Sequence, residues 1–312
     1  MEPSLRKRPE RPGGIILGTG VVLVLAFIAI VVLFFVFSSI YPMFVGKCVA
    51  VVEINDPITV EGSPASIFDA GYPSSEQLAT SIESLNKRDD VGAVVFVMNS
   101  PGGSVVATRE VYASVKGLDK PKVAYFREVA ASGAYYVASG TDYIISDPDA
   151  ITGSIGVIAT FTQMSGLLDK IGVNVTEIKS GQHKDMGSSY RNMTADEQVL
   201  LQALVDEVYQ EFRSVVIENR RGRLDLAKFD EVADGRIMTG RQAEKVGLVD
   251  ETGTKKDALL KAAQLANISA ESAEDVRICQ VSTMSEESGL FTLEGLFRSF
   301  QVQNPGVDLS YR

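Results

Sequence analysis

Ala93-Val94-Val95-Phe96-Val97-Met98 runs straight into Asn99-Ser100-Pro101-Gly102-Gly103-Ser104, and the junction between these stretches decides the fold class. Consecutive apolar residues rich in valine read as a strand buried on both faces. Proline and paired glycines end it, and Ser104 is placed to cap a helix running to about Gly117. The same alternation recurs outward in both directions. On the N-terminal side lie the valine-rich strand Cys48–Ile54 and a capping-box spacing, Ser74 to Gln77, ahead of Leu78, Ile82 and Leu85. On the C-terminal side, Val123–Phe126, Tyr143–Ser146 and Val173–Lys179 read as strands, with the runs Ala130–Ser139 and Gly153–Ile158 among them. A second capping box, Thr194 to Glu197, opens the longest helix, which keeps Leu201, Leu204, Val208, Phe212 and Val215 on one side. Strands alternating with crossover helices predict an α/β domain with largely parallel pairing.

Composition narrows the chemistry. The 312 residues carry 30 Lys+Arg against 40 Asp+Glu, a net charge of −10. Four basic residues against two acidic ones precede residue 47, so the body beyond it carries −12. Such a body is a poor nucleic-acid binder, because phosphate contacts need clustered Lys and Arg. With one histidine, His183, and two cysteines, Cys48 and Cys279, no Cys/His zinc cluster can be assembled. The two cysteines either pair in an oxidising compartment or sit as thiols in strand cores.

From Pro12 to Gly46 no residue is charged, and Ile15–Phe37 is almost wholly Leu, Val, Ile, Phe and Ala. At about 1.5 Å per residue this core rises roughly 35 Å, enough to cross a hydrocarbon layer of about 30 Å. A cleavable signal peptide competes with an anchor, but its apolar region is shorter and ends in small residues, whereas this run ends Phe37-Ser38-Ser39-Ile40-Tyr41-Pro42. The expected organisation is a basic cytoplasmic segment over 1–14, a transmembrane anchor over 15–40, the main domain over 47–268, and a polar linker with a C-terminal amphipathic segment over 269–312. Arg6, Lys7, Arg8 and Arg11 precede the span, which puts the N-terminus in the cytoplasm and the body outside it. Within the tail, Leu293, Leu296, Phe297 and Phe300 recur at helical spacing, fitting a helix that packs on its own domain or on a neighbouring subunit.

Three segments have residues suited to chemistry. Asn99–Gly103 lies between a strand and a helix, where glycines let backbone N–H groups approach an anion; the same residues also make an ordinary turn. Ala130-Ala131-Ser132-Gly133-Ala134 sets a serine at the start of a short helix among residues too small to cover its hydroxyl, unless that hydroxyl serves as the helix cap. A serine needs a base to take its proton, and Ser180-Gly181-Gln182-His183-Lys184-Asp185 offers an imidazole and an amine side by side. A lysine with an ordinary pKa of about 10.4 is neutral in only roughly one molecule in 2,500 at pH 7. To act as a base it must lose solvent or sit near positive charge. Otherwise Lys184 is a solvated surface residue and His183 orders the loop.

In order along the chain, Asn99–Gly103, Ala131–Tyr136, Thr152-Gly153-Ser154-Ile155-Gly156-Val157, Ser180–Asp185 and Asp234-Gly235-Arg236-Ile237-Met238-Thr239-Gly240 together resemble the signal peptide peptidase A family of membrane-anchored serine proteases, in its short single-repeat form. The resemblance spans about residues 48–260. It implies a crotonase/caseinolytic-protease-like spiral of β-β-α units, preceded here by one N-terminal transmembrane helix. It also implies Ser132 as nucleophile, Lys184 as general base, Ser154 orienting the lysine amine, and the Gly103 and Gly133 N–H groups as the oxyanion hole. Ser104 stands where relatives often have a third glycine. No cofactor and no metal is implied. The implied partners are hydrophobic peptides, membrane lipid around the anchor, and further copies of the chain in a ring where one protomer's serine meets its neighbour's lysine. Two other readings stand beside this one: a related serine-lysine protease that clips hydrophobic tails of stomatin-like membrane proteins, and a non-proteolytic crotonase-like binder of acyl thioesters.

Overall fold

The computed structural model describes residues 23–35, 46–64, 71–281 and 309–311. The chain divides between Gly46 and Lys47. In the first unit, residues 23–35 are helical, with Leu23, Phe27 and Phe34 exposed. Among the described residues no helix is long and apolar enough to cross a membrane. Much of the expected anchor over 15–40, all of the basic segment over 1–14 and the amphipathic stretch Ser285–Phe300 lie outside the described residues.

The second unit holds β1 (Cys48–Asn55), α1 (Ser75–Ser84), β2 (Val91–Ser100), β3 (Gly103–Ser104), α2 (Val105–Lys116), β4 (Lys122–Ala131), α3 (Gly133–Ser139), β5 (Tyr143–Ser146), β6 (Ile151–Gly153) and β7 (Ile158–Ala159). It continues with α4 (Ser165–Lys170), α5 (Ala195–Asn219), α6 (Leu226–Val232), β8 (Ile237–Thr239), α7 (Gly240–Val246), β9 (Glu251–Thr252), α8 (Lys255–Leu265), β10 (Ile278–Gln280) and β11 (Leu309–Tyr311). The main sheet runs β10-β1-β2-β4-β5-β9 with every neighbouring pair parallel. The predicted α/β class with parallel pairing is therefore the one observed.

The apolar run that announced the fold is the middle of β2. Val94, Phe96 and Met98 face one buried layer with α1, α2 and α3, while Val95 and Val97 face the other, where α8 packs through Ala258, Leu259 and Ala262. A strand covered on both faces has no polar side to alternate with, which is why its sequence is continuous in valine. Both capping boxes form: Ser74 accepts from Gln77 N and Thr194 from Glu197 N, with the Gln77 and Glu197 side chains bonding back. Gly117 terminates α2, as its position predicts.

Ala130–Ser139 is divided where the sequence placed a helix start, the end of β4 giving way at Ser132 to helix α3. Other expectations are corrected. The run Gly153–Ile158 is not one element, since β6 ends at Gly153 and β7 starts at Ile158. Val173–Lys179 forms no strand, although Val173 and Val175 alternate with polar residues. Val173, Val175 and Ile178 are exposed, the last at 99%, and no described strand pairs with this stretch. Without a ladder partner the stretch has nothing to pair with.

Cys48 and Cys279 form a disulfide, which answers the question that composition left open. It fastens edge strand β10 to β1, where Ala50 is paired with Cys279, across a sequence separation of 231. Closing so long a loop removes entropy chiefly from the unfolded chain. Reduction, or Cys48→Ala with Cys279→Ala, should therefore lower unfolding stability by about 2–5 kcal/mol, read as a shift of the denaturant midpoint.

Candidate functional site

Of the predicted site residues, Ser132, Ser154, Gly103 and Gly133 gather at the carboxyl end of the sheet because β4 changes partners. Its first half pairs with β5 and its second half with β6, ending with Ala131 beside Gly153. Immediately after that pair come Ser132 and Ser154, both with left-handed backbones, φ 55° and 50°. Ser132 N donates to Gly153 O at 2.8 Å, so the turn is held against β6. Ser154 N donates to Arg236 O at 2.8 Å, and β8 pairs antiparallel with β6. That contact gives the Asp234–Gly240 motif its purpose: it backs the segment carrying Ser154. Arg236 is itself fixed by Asp234 at 2.6 Å, and this guanidinium holds the Asp234 carboxyl at about 2.

Ser132 occupies the N-cap position of α3, but its hydroxyl makes no capping bond. It is fully buried, and its Oγ has no hydrogen-bond partner. The reading of this serine as a mere helix cap is thereby excluded. Left-handed φ at a non-glycine residue on a strand-to-helix turn stores strain, and such turns recur at nucleophiles.

The two glycines meet beside it. A Cβ placed on Gly133 would lie 3.2 Å from Gly103 N, so these two backbone segments share one small volume. At Gly103 a Cβ would lie 1.9 Å from Ile58 O, a distance no side chain tolerates. This strand must be glycine because Ile58 and Ser104 are hydrogen-bonded across it, Ser104 N donating to Ile58 O at 2.9 Å. Ser104 also caps α2, accepting from Ala107 N. Next to Gly103 runs a further backbone: β11 pairs antiparallel with β3, Tyr311 opposite Gly103, and on its other side with β7.

No base reaches Ser132 within the described chain. Burial raises the phenols of Tyr135 and Tyr136, the latter to about 12, so neither releases its proton near neutrality. Lys184 is exposed on a turn over residues 181–187, its N–H bonded to Gly181 O at 3.2 Å. The structure thus brings Ser132, Gly103, Gly133 and Ser154 together, while Lys184 and His183 are exposed and neither is hydrogen-bonded to the Ser132 hydroxyl.

The Lys184 turn is nonetheless firmly held, through a residue the sequence reading did not single out. Arg191 places two nitrogens at 2.8 Å from the Asp185 carboxylate and reaches Glu197 Oε2 at 2.8 Å, while Lys179 adds a contact to Asp185 at 2.6 Å. The turn next to Lys184 is in this way pinned to the first turn of α5. These cations push the Asp185 carboxyl far below its ordinary value and hold Glu197 at about 2, with Arg191 the largest cause in both. A depressed carboxylate contributes stability above its unfolded pKa, about 4, and loses it as pH falls through the folded value. Amide exchange at residues 181–197, corrected for its intrinsic pH dependence, should therefore show constant protection from pH 8 to 5 and loss only toward pH 2. Arg191→Gln should loosen the same residues at neutral pH while leaving β2 and β4 protected.

Residues 115–269 match Peptidase family S49. MJ0651 of Methanocaldococcus jannaschii, described as a candidate protease, is 40% identical over 230 residues, 73% of this chain and 73% of that protein. The chloroplastic serine protease SPPA of Arabidopsis thaliana is 34% identical over 197 residues, 62% of this chain and 29% of its own length. Protease 4 of Haemophilus influenzae is 30% identical over 222 residues, 70% of this chain and 35% of its own.

Proposed function

Because the chain belongs to peptidase family S49 and is a peptidase of the signal peptide peptidase A kind, we propose that it is a membrane-anchored endopeptidase cleaving hydrophobic peptides, among them signal peptides left after export. Ser132 is the nucleophile and Lys184 the general base, with Ser154 orienting the lysine amine. The Gly103 and Gly133 N–H groups take the charge that develops on the carbonyl oxygen. Lys184 accepts the serine proton and returns it to the leaving amine, so no cofactor is called for. The domain follows the crotonase/caseinolytic-protease-like spiral.

The observation that carries this reading is the Ser132 hydroxyl, buried and unpartnered on a strained turn directly beside the two glycines. The strand slot supports peptide as the substrate class. β11 lies in it as an extended backbone between β3 and β7, the pairing that an entering peptide would make with Gly103 and Ser104. A second copy as the source of the lysine is supported by exposed apolar residues on the segments flanking Lys184 in sequence. Leu167, Ile171, Val173, Ile178, Val199 and Leu204, on the segments before and after it in the chain, are all exposed, and clustered apolar exposure of this kind marks interaction surfaces. In a closed ring that surface is covered, and covering it would also strip solvent from the lysine. The Cys48–Cys279 disulfide favours an oxidising side of the membrane for the body.

Full-length protein in detergent should be labelled at Ser132 by a fluorophosphonate probe and should degrade a signal-peptide-like apolar peptide while sparing folded proteins. Absence of labelling in a properly assembled sample would overturn the assignment.

A further inference from the structure

Among the described residues, two buried side-chain oxygens or nitrogens lack any hydrogen-bond partner: Ser132 Oγ and Thr108 Oγ1. The first has a role in the reading above. Thr108 lies in the second turn of α2 with no exposure at all. A helical hydroxyl in that position ordinarily bonds back to a carbonyl three or four residues earlier. Ser114 does so, to Val111 O at 2.7 Å, and Ser139 bonds to Tyr136 O at 2.7 Å. Thr108 does not, so its hydroxyl is kept from the local bond open to it.

Its location explains where it is aimed. A Cβ on Gly133 would meet Thr108 Oγ1 at 2.5 Å and Gly103 N at 3.2 Å. The hydroxyl, the Gly133 backbone and the Gly103 N–H therefore converge on one volume, at the head of the turn that presents Ser132. A buried hydroxyl without a partner lowers stability, and valine would fill the same space without that penalty.

We propose that Thr108 is a third donor to the oxyanion, a catalytic residue whose hydrogen-bond partner arrives only with the reacting carbonyl. This rests on the serine-peptidase reading of the site. As Ser132 Oγ bonds to the carbonyl carbon, its proton passes to the base and the carbonyl π pair moves onto oxygen. That oxygen then accepts from the Gly103 N–H, the Gly133 N–H and the Thr108 O–H. When the tetrahedral species collapses, the C–N bond breaks and the amine leaves with the proton returned by the base. Thr108 keeps its own proton throughout.

Thr108→Val and Thr108→Ser, made in the full-length protein, test this against simple packing. For Thr108→Val the expected result is an unchanged or higher Tm, a KM within about twofold, and a kcat lower by about 10²-fold, as for loss of one oxyanion donor. Fluorophosphonate labelling of Ser132 should slow in parallel, since its phosphoryl oxygen enters the same pocket. Thr108→Ser should keep kcat within a few-fold. A Thr108→Val enzyme of wild-type kcat would overturn the proposal, as would a Thr108→Ser enzyme as slow as the valine variant. Should the valine variant fail to fold, Thr108→Ala against Thr108→Ser makes the same comparison, with equal kcat counting against a donor. Ser132→Ala run alongside separates the two failures: if it retains activity, the serine assignment itself is wrong, whatever Thr108 does.

Discussion

Ser132→Ala should abolish peptidase activity, by at least about 10³-fold, while the protein melts no lower than the parent. The loss follows from removing the proposed nucleophile. The unaltered or raised Tm follows from the burial of an oxygen that bonds to nothing, because deleting an orphaned polar atom removes its desolvation penalty. A serine retained for packing or capping would behave in the opposite way, with activity kept and Tm reduced. Ser132→Gly should go further in stability, since φ of 55° costs glycine almost nothing. Lys184→Ala should be as inactive as Ser132→Ala and should fold normally, its side chain being exposed in the single chain. His183→Ala should keep most of the activity, because a lysine base makes the imidazole dispensable. Peptide hydrolysis and thermal melts on the same preparations decide each case, and an inactive His183→Ala would return the base to the histidine.

What could be read in advance divides along a physical line. Features fixed by neighbours a few residues apart were legible: the buried strand at Ala93–Met98, the capping boxes at Ser74 and Thr194, the Ser104 cap and the Gly117 terminus. Glycines at Gly103 and Gly133 were also legible as a pair, through resemblance, although the reason for the first is a non-local contact with Ile58 O. Features created by distant partners were not. The Cys48–Cys279 bond depends on a parallel register between β1 and β10, which nothing in the spacing of the two residues reveals. Val173–Lys179 has the pattern of a strand without the neighbour a strand needs. Nothing in the sequence around Thr108 singles it out from other polar helix residues, and only its missing partner in three dimensions marks it out. Arg191 was hidden likewise, its three partners being Asp185, Glu197 and the backbone of Asn192.

With the Ser132 hydroxyl buried and unpartnered and Lys184 exposed in the single chain, the proposed site is one that an assembly would complete. Chains carrying Ser132→Ala and chains carrying Lys184→Ala should each be inactive alone, yet regain activity when unfolded together in equal amounts and reassembled. In a ring of head-to-tail contacts, a site needs an intact serine from one protomer and an intact lysine from the next. Random mixing supplies that arrangement at about one junction in four, so activity should return to roughly a quarter of the parent value. The exposed apolar residues on the segments flanking Lys184 in sequence are the contact proposed to carry the lysine to its neighbour's Ser132. Ile178→Asp, at its most exposed point, should therefore disperse the assembly and extinguish activity without unfolding the protomer. Sedimentation of the variant, with circular dichroism as the check on folding, reads both effects together. Mixed oligomers verified by differential tags but lacking activity would put serine and lysine in the same chain. The apolar surface would then have to be explained by something other than catalysis.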